Sequence, residues 1–432
     1  MTAKSETPTI EPYRMLFPLA WLGAGFSVGL WMAVAVSNRL GWGLPPYPAS
    51  LHAYATFATF IFPSVSGFLL TALPRFTGTP LPSVQFVSFV LGLYLVALAG
   101  FALGSPGLVC LFALGGLVAT LAFARKRMKE SMTELPAYLR AFLPAGLGAA
   151  VLGWLLILIG LFIENYLQKA FPELAAAPYT AAGRTLLFYY SISFIVLGAG
   201  SRIAVTIQAS DHADKNNWRR SLEENQSEPL MVTALLFAAA MLEIAGILMG
   251  EDRAGTLVRT GALLSFSAVF YWLLLRFRVY RNSFRRAVST GLWISLWMIL
   301  AGLAARFLTG LSSVHWVHLF FVGGLSLLTF SVMTRVILSH GKWDLNLENR
   351  SFLLWLPIGL LVLAAATRAS AHLLPASYMN HLGYGAFLLW RQSVYGEWMA
   401  NTAHAKAGLS YEVFLRGLKT TASYLLILIT PL

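Results

Sequence analysis

Histidines carry most of the chemistry this sequence offers. His315 and His318 stand three residues apart at the head of the apolar run SSVHWVHLFFVGGLSLLTFSVMTRVILSHGK, which closes on Arg335 and His340. A neutral imidazole donates a lone pair without bringing charge into a low-dielectric interior, so it suits a buried metal. At this spacing the two rings lie within about 60° on one helix face and about 4.5 Å apart along the axis. They fit one metal site, two separate metals, or a bilayer interface, where histidines collect as Trp and Tyr do.

Carboxylates give a sharper signal. Of 18 Asp and Glu, only Glu243, in AAAMLEIAGILM, falls well inside an apolar run. An ionisable group at such a depth costs several kcal/mol unless paired or protonated, so a functional role is the default reading. Proton delivery and metal coordination would each use it, and a protonated Glu hydrogen-bonded between helices is the plain alternative. Tyr54, Tyr189 and Tyr190 are candidate donors to a bound ligand or members of an aromatic belt. The single cysteine, Cys110, lies within an apolar run and leaves neither a disulfide within the chain nor a thiolate metal site. There is no glycine-rich phosphate loop, no HExxH and no Ser-His-Asp signature.

These residues are positioned by helices of a particular kind. The 432 residues are 57% hydrophobic and only 11% charged, against about a quarter charged in a soluble domain. Runs of about 20 apolar residues, the length that crosses a bilayer, recur along the chain. The reading is an all-α, polytopic membrane protein forming one membrane domain over residues 1–432. Twelve spans are expected, at 16–37, 51–73, 84–104, 106–124, 140–162, 184–209, 230–250, 257–280, 288–309, 314–338, 351–372 and 378–396. Residues 397–432 are then a cytoplasmic tail or interfacial helix. No Pro/Gly-rich linker divides the chain, and no motif repeats between a first and second half.

Basic residues orient the bundle, because Lys and Arg are retained on the cytoplasmic side. With both termini cytoplasmic, only Arg39, Lys169, Arg184, Arg253, Arg259, Arg306 and Arg368 of the 31 Lys and Arg lie on the outer side. The charge of +13 is thus an orientation signal and a contact for anionic lipid; a nucleic-acid partner would need a soluble basic face. This topology gives depth to the histidines. His52, His315, His318, His372 and His381 fall in the outer third, from four different spans. Arg39, Arg184, Arg306 and Arg368 on the same side are candidates to pair with haem propionates, or to snorkel to headgroups. Gly323 and Gly324, beyond His318, would let a flat macrocycle or another helix approach closely.

Two stretches resemble the NnrS family. LHAYATFATFIFPSVSGFLLTALPRFTG (Leu51–Gly78) is similar to the family's second span, His-x-His-Glu-Met followed by Gly-Phe-Leu-Leu-Thr-Ala-Val-Pro-x-Trp-Thr-Gly. The run from Ser312 to Lys342 resembles its tenth span, with His318 on the leading His, Met333-Thr334-Arg335 in register, and His340-Gly341 following. GAGSRIAVTIQ in the sixth span is a weaker likeness. The resemblance implies a twelve-span bacterial inner-membrane protein that contains haem and copper and serves resistance to nitric oxide. It places His52 on the first His of the second-span motif. The chain departs from the pattern at Tyr54, where the family has a second His, at Ala55 and Thr56, and at Val205, where a proline follows Arg202 in the family.

The expectation is therefore a haem protein of nitric-oxide metabolism, with a b-type haem held by His52 and His318 and an external electron donor. Glu243 and Tyr54 would move protons or polarise a bound diatomic ligand such as NO, and Arg184 and Arg368 would hold the cofactor's carboxylates. Copper is in question because of Tyr54, with His315, His372 and His381 as the available ligands. A sensor, carrier or assembly subunit without turnover, and a metal-free transporter, are the alternatives.

Overall fold

The structure is a computed structural model that describes residues 11–41, 49–172, 174–208, 227–250, 252–280, 286–308 and 314–370. Among these residues it is all-helical. The long helices are α1 (Tyr13–Leu40), α2 (Ser50–Thr77), α3 (Val84–Ala102), α4 (Pro106–Lys129), α5 (Ala137–Leu167), α6 (Ala177–Ser201), α7 (Ser227–Met249), α8 (Arg253–Arg276), α9 (Ala287–Arg306), α10 (His315–His340) and α11 (Phe352–Ser370). Ten of them, α2 to α11, are long and apolar enough to cross a bilayer, and the protein is a multi-pass membrane protein. The expected spans from 16–37 to 351–372 correspond to these eleven helices. The sixth starts earlier than expected, at Ala177. The expected twelfth span, the C-terminal tail, His372 and His381 lie outside the described residues, as do the side chains of Arg39, Arg202 and Val205.

Local sequence sets the helix ends. Ser83 and Ser105 accept hydrogen bonds from Phe86 and Leu108 backbone N–H groups and so cap α3 and α4, and Asp252 caps α8 through Gly255 N–H at 2.6 Å. Such a side-chain oxygen satisfies one of the donors left over in a first helical turn. Gly41 and Gly78 close α1 and α2 in the left-handed conformation, which glycine adopts without a Cβ penalty.

Packing recurs with a period of four helices. The first helix of each group lies along the second (α1 on α2, α5 on α6, α9 on α10), and the third lies along the fourth (α3 on α4, α7 on α8). No six-plus-six division accounts for this pattern. Of the second helices, α2 and α6 are the most deeply buried, while α10 is 50% buried. The most apolar 18 residues of α2 and of α6 are each 89% buried by protein, against 33% in α3 and in α8. An outer helix presents the rest of its surface to lipid, which is why the chain keeps apolar residues such as Phe89, Leu111 and Leu264 exposed.

Salt bridges gather the ends that the basic residues assign to the cytoplasm. Arg75 at the end of α2 pairs with Glu11 before α1, and its Nη1 stands 3.4 Å from Nε2 of His340 at the end of α10. Arg276 of α8 pairs with Glu228 of α7, which also accepts the Tyr138 hydroxyl of α5 at 2.6 Å. Arg335 of α10 donates at 2.6 Å to Glu348, buried before α11.

Candidate metal centre

The second helices of the three groups share a local feature. Each of α2, α6 and α10 contains a π-helical segment, at Phe57–Ile61, Leu186–Ser191 and Leu319–Ser326 respectively. A further π segment, Ile163–Leu167, lies at the end of α5. Such segments insert one extra residue per turn, re-aim the side chains that precede them and occur often at functional sites. In α2 and α10 the residues just before the segment include His52 and His318.

His52 and His318, 266 positions apart in sequence, stand before the same helix–helix contact: Phe57 and Phe321, about one turn further along α2 and α10, have ring centres 5.7 Å apart. The surroundings of His52 also fix its tautomer. The Thr56 hydroxyl donates to the His52 carbonyl at 2.8 Å. Ser27 Oγ lies 2.6 Å from Thr56 Oγ1, so Ser27 must be the donor there. Ser27 is then left to accept from Nδ1–H of His52 at 3.0 Å. The other ring nitrogen, Nε2, carries the lone pair of the neutral imidazole. That is the arrangement of a metal-ligating histidine, in which the nitrogen not facing the metal is held by a hydrogen-bond partner. Two imidazoles from separate helices, one with its tautomer set, form a donor set that fits an iron or copper taking nitrogen ligands.

His315 sits one turn outward of His318 on α10 and is half-buried. Tyr54 faces elsewhere. Two residues along a helix turn the side chain by about 200°, so Tyr54 points away from His52 and packs by its ring against Trp154 of α5 and Phe188 of α6. Its hydroxyl accepts Nε of Arg184 at 2.9 Å, and the guanidinium carbon stands 5.2 Å from the ring centre. The two residues expected to serve ligand and cofactor are thus each other's partners. Arg368 is exposed on α11.

Glu243 is 1% exposed and doubly satisfied. Its Oε1 accepts Nη2 of Arg306 at 2.6 Å, and the Tyr190 hydroxyl donates to Oε2. The Arg306 guanidinium lies 3.8 Å from the centre of the Tyr189 ring, a cation–π contact. Arg306, expected among the candidates for a propionate, is committed to Glu243. Among the described residues no three of His, Cys, Asp and Glu come together as metal ligands.

Several motif residues serve packing. A Cβ on Gly67 would lie 2.8 Å from the Phe17 ring of α1, and Thr71, four residues on, accepts the Tyr13 backbone N–H at 3.1 Å. The Gly-Phe-Leu-Leu-Thr-Ala stretch is therefore the seat of α1. Gly323 and Gly324 lie against Met298 and Ile299 of α9, so this small-residue face receives a helix. Sequence reasoning did not find Ser27, Thr56 or the π segments. A lone Ser in an apolar span has too many plain explanations, and a π segment has no residue signature.

The family model described as NnrS protein matches residues 9–402 of the chain. No curated protein matches it.

Proposed function

The chain belongs to the NnrS family, and from that membership we propose that it is a haem-binding protein of the nitric-oxide response in a bacterial inner membrane, with His52 and His318 as iron ligands. The observation that carries this reading is that Nδ1 of His52 is held by Ser27 on a helix whose Phe57 packs against Phe321 of α10, one turn beyond His318. A bound haem would supply an iron that takes up NO and accepts or donates an electron. The chain's own residues hold the ligand rings, and apolar side chains of α2, α6 and α10 keep water away. Twelve spans with both termini cytoplasmic remain our topology, supported by the seven outer-side basic residues among 31; the metal site then lies toward the periplasm.

Because Tyr54 and His52 face opposite sides of α2, a second metal at the position of the family's second His would be a separate centre. The substitution by Tyr removes that ligand without touching the first site, and we assign no copper to it. A reading without turnover is favoured by one observation. Glu243, the only carboxylate that the sequence sets deep in a span, has both oxygens taken up, by Arg306 and by Tyr190.

Detergent-purified protein from haem-replete cells is expected to show a Soret band that is lost or strongly shifted in His318→Ala and in His52→Ala. A colourless, iron-free preparation overturns the proposal. NO consumption by reconstituted protein supplied with an electron donor separates a reductase from a binder.

A further inference from the structure

Immediately inward of the histidine pair, α2, α6 and α10 each contribute one phenylalanine to a common cluster. Phe57 of α2 and Phe188 of α6 have ring centres 4.4 Å apart, and Phe321 of α10 meets them at 5.7 and 6.0 Å. One helical turn further along, at Ile61, Ile192 and Leu325, the helices separate around a cavity of about 70 Å³. Its far wall includes Ala199 of α6 and Val332 of α10. The cluster thus stands between the histidines and the cavity.

The lining decides what this space can hold. It is almost wholly hydrocarbon; of its two hydroxyl residues, Ser64 and Thr329, the Ser64 hydroxyl is spent on the Phe60 carbonyl at 2.6 Å. A buried water needs two to four polar partners, so the cavity offers water little. Apolar cavities of about 150 Å³ stay dry and take benzene or xenon. At about half that size, and not closed on every side, this one has room for a molecule of two or three heavy atoms within its walls.

We propose that this cavity is a binding site for an uncharged, apolar gas of two or three atoms, separated from the histidine pair by the Phe57–Phe188–Phe321 cluster. That the gas in the cell is nitric oxide or a product of it rests on the function proposed above; the capacity of the cavity does not. Gas dissolved in the bilayer would reach these helices from lipid and concentrate one turn from the histidines. The phenylalanines would control the last step toward them.

Xenon is the probe, applied to crystals of the full chain in detergent or lipid under pressure. The expected result is an anomalous peak among Ile61, Ile192 and Leu325. The peak is expected to vanish in Ala199→Leu and in Val332→Phe, which fill the space from two different helices, so that one variant decides if the other does not fold. An empty cavity with xenon found elsewhere, a peak that survives both substitutions, or an acyl chain continuous with the lipid belt overturns the proposal. Xenon in a haem-free preparation supports this inference while removing the haem reading. A haem-loaded protein without xenon does the reverse.

Discussion

Arg306 and Glu243, on α9 and α7, form an ion pair of 2.6 Å in which the side chains are 5% and 1% exposed. Tyr190 closes the second carboxylate oxygen, and Tyr189 lies under the guanidinium. A buried pair of this kind satisfies the requirement that brought Glu243 to notice, since charge inside a bilayer has to be matched. It also ties α7, α9 and α6 together, which makes it a device that fixes three helices in register.

Removing one partner leaves the other charged and buried, which costs about 3–5 kcal/mol. Glu243→Ala is therefore expected to lower the thermal midpoint of the detergent-solubilised protein sharply. The double variant Glu243→Leu, Arg306→Met is expected to recover most of the loss, because paired apolar replacements of a buried ion pair are often neutral. A Glu243→Ala protein with unchanged stability would mean that the carboxylate is not held as the geometry shows.

The sequence displayed the elements well and the partners poorly. Apolar runs of bilayer length mark a helix whatever it packs against, so eleven helices were legible, ten of them long and apolar enough to cross a bilayer. The expected depth, taken from the basic residues, put His52 and His318 on one list, and the packing of α2 against α10 sets both before the paired rings of Phe57 and Phe321. What no local pattern contains is azimuth. Tyr54 and Arg184 were on the same outer level as the histidines, and only the packed structure shows that they turn to each other. Glu243 likewise looked alone because its cation lies 63 residues on. The π segments shift azimuth further, since an extra residue per turn rotates everything beyond it.

Ser27 is expected to act on the metal through His52. Partners of a ligand histidine typically change metal affinity by about 10- to 100-fold when removed. Ser27→Ala leaves Nδ1–H of His52 without this acceptor and frees the ring to rotate. Haem titration of the apoprotein is expected to show affinity reduced by about tenfold or more, with a broadened Soret band. Ser27→Thr, which keeps the hydroxyl, should retain most of the affinity. Equal binding in Ser27→Ala and the parent protein would show that this serine does not orient the ligand.

The paired glycines of α10 give a test that separates packing from cofactor approach. A Cβ at Gly324 would stand 2.6 Å from Cγ1 of Ile299, closer than real Cβ contacts occur, so Gly324→Ala must push α9 away or force Ile299 into another rotamer. Overpacking of this size costs about 1–3 kcal/mol, and the displaced helix carries Arg306 with it. Ile299→Ala, which removes the Cγ1 that the new Cβ would strike, is expected to cost about 2–5 kcal/mol alone and less than that in the Gly324→Ala background. Thermal unfolding of the two single variants and the double gives the coupling directly. Additive losses would mean that the glycine serves something other than the α9 contact, and a macrocycle against the α10 backbone would then be the reading to pursue.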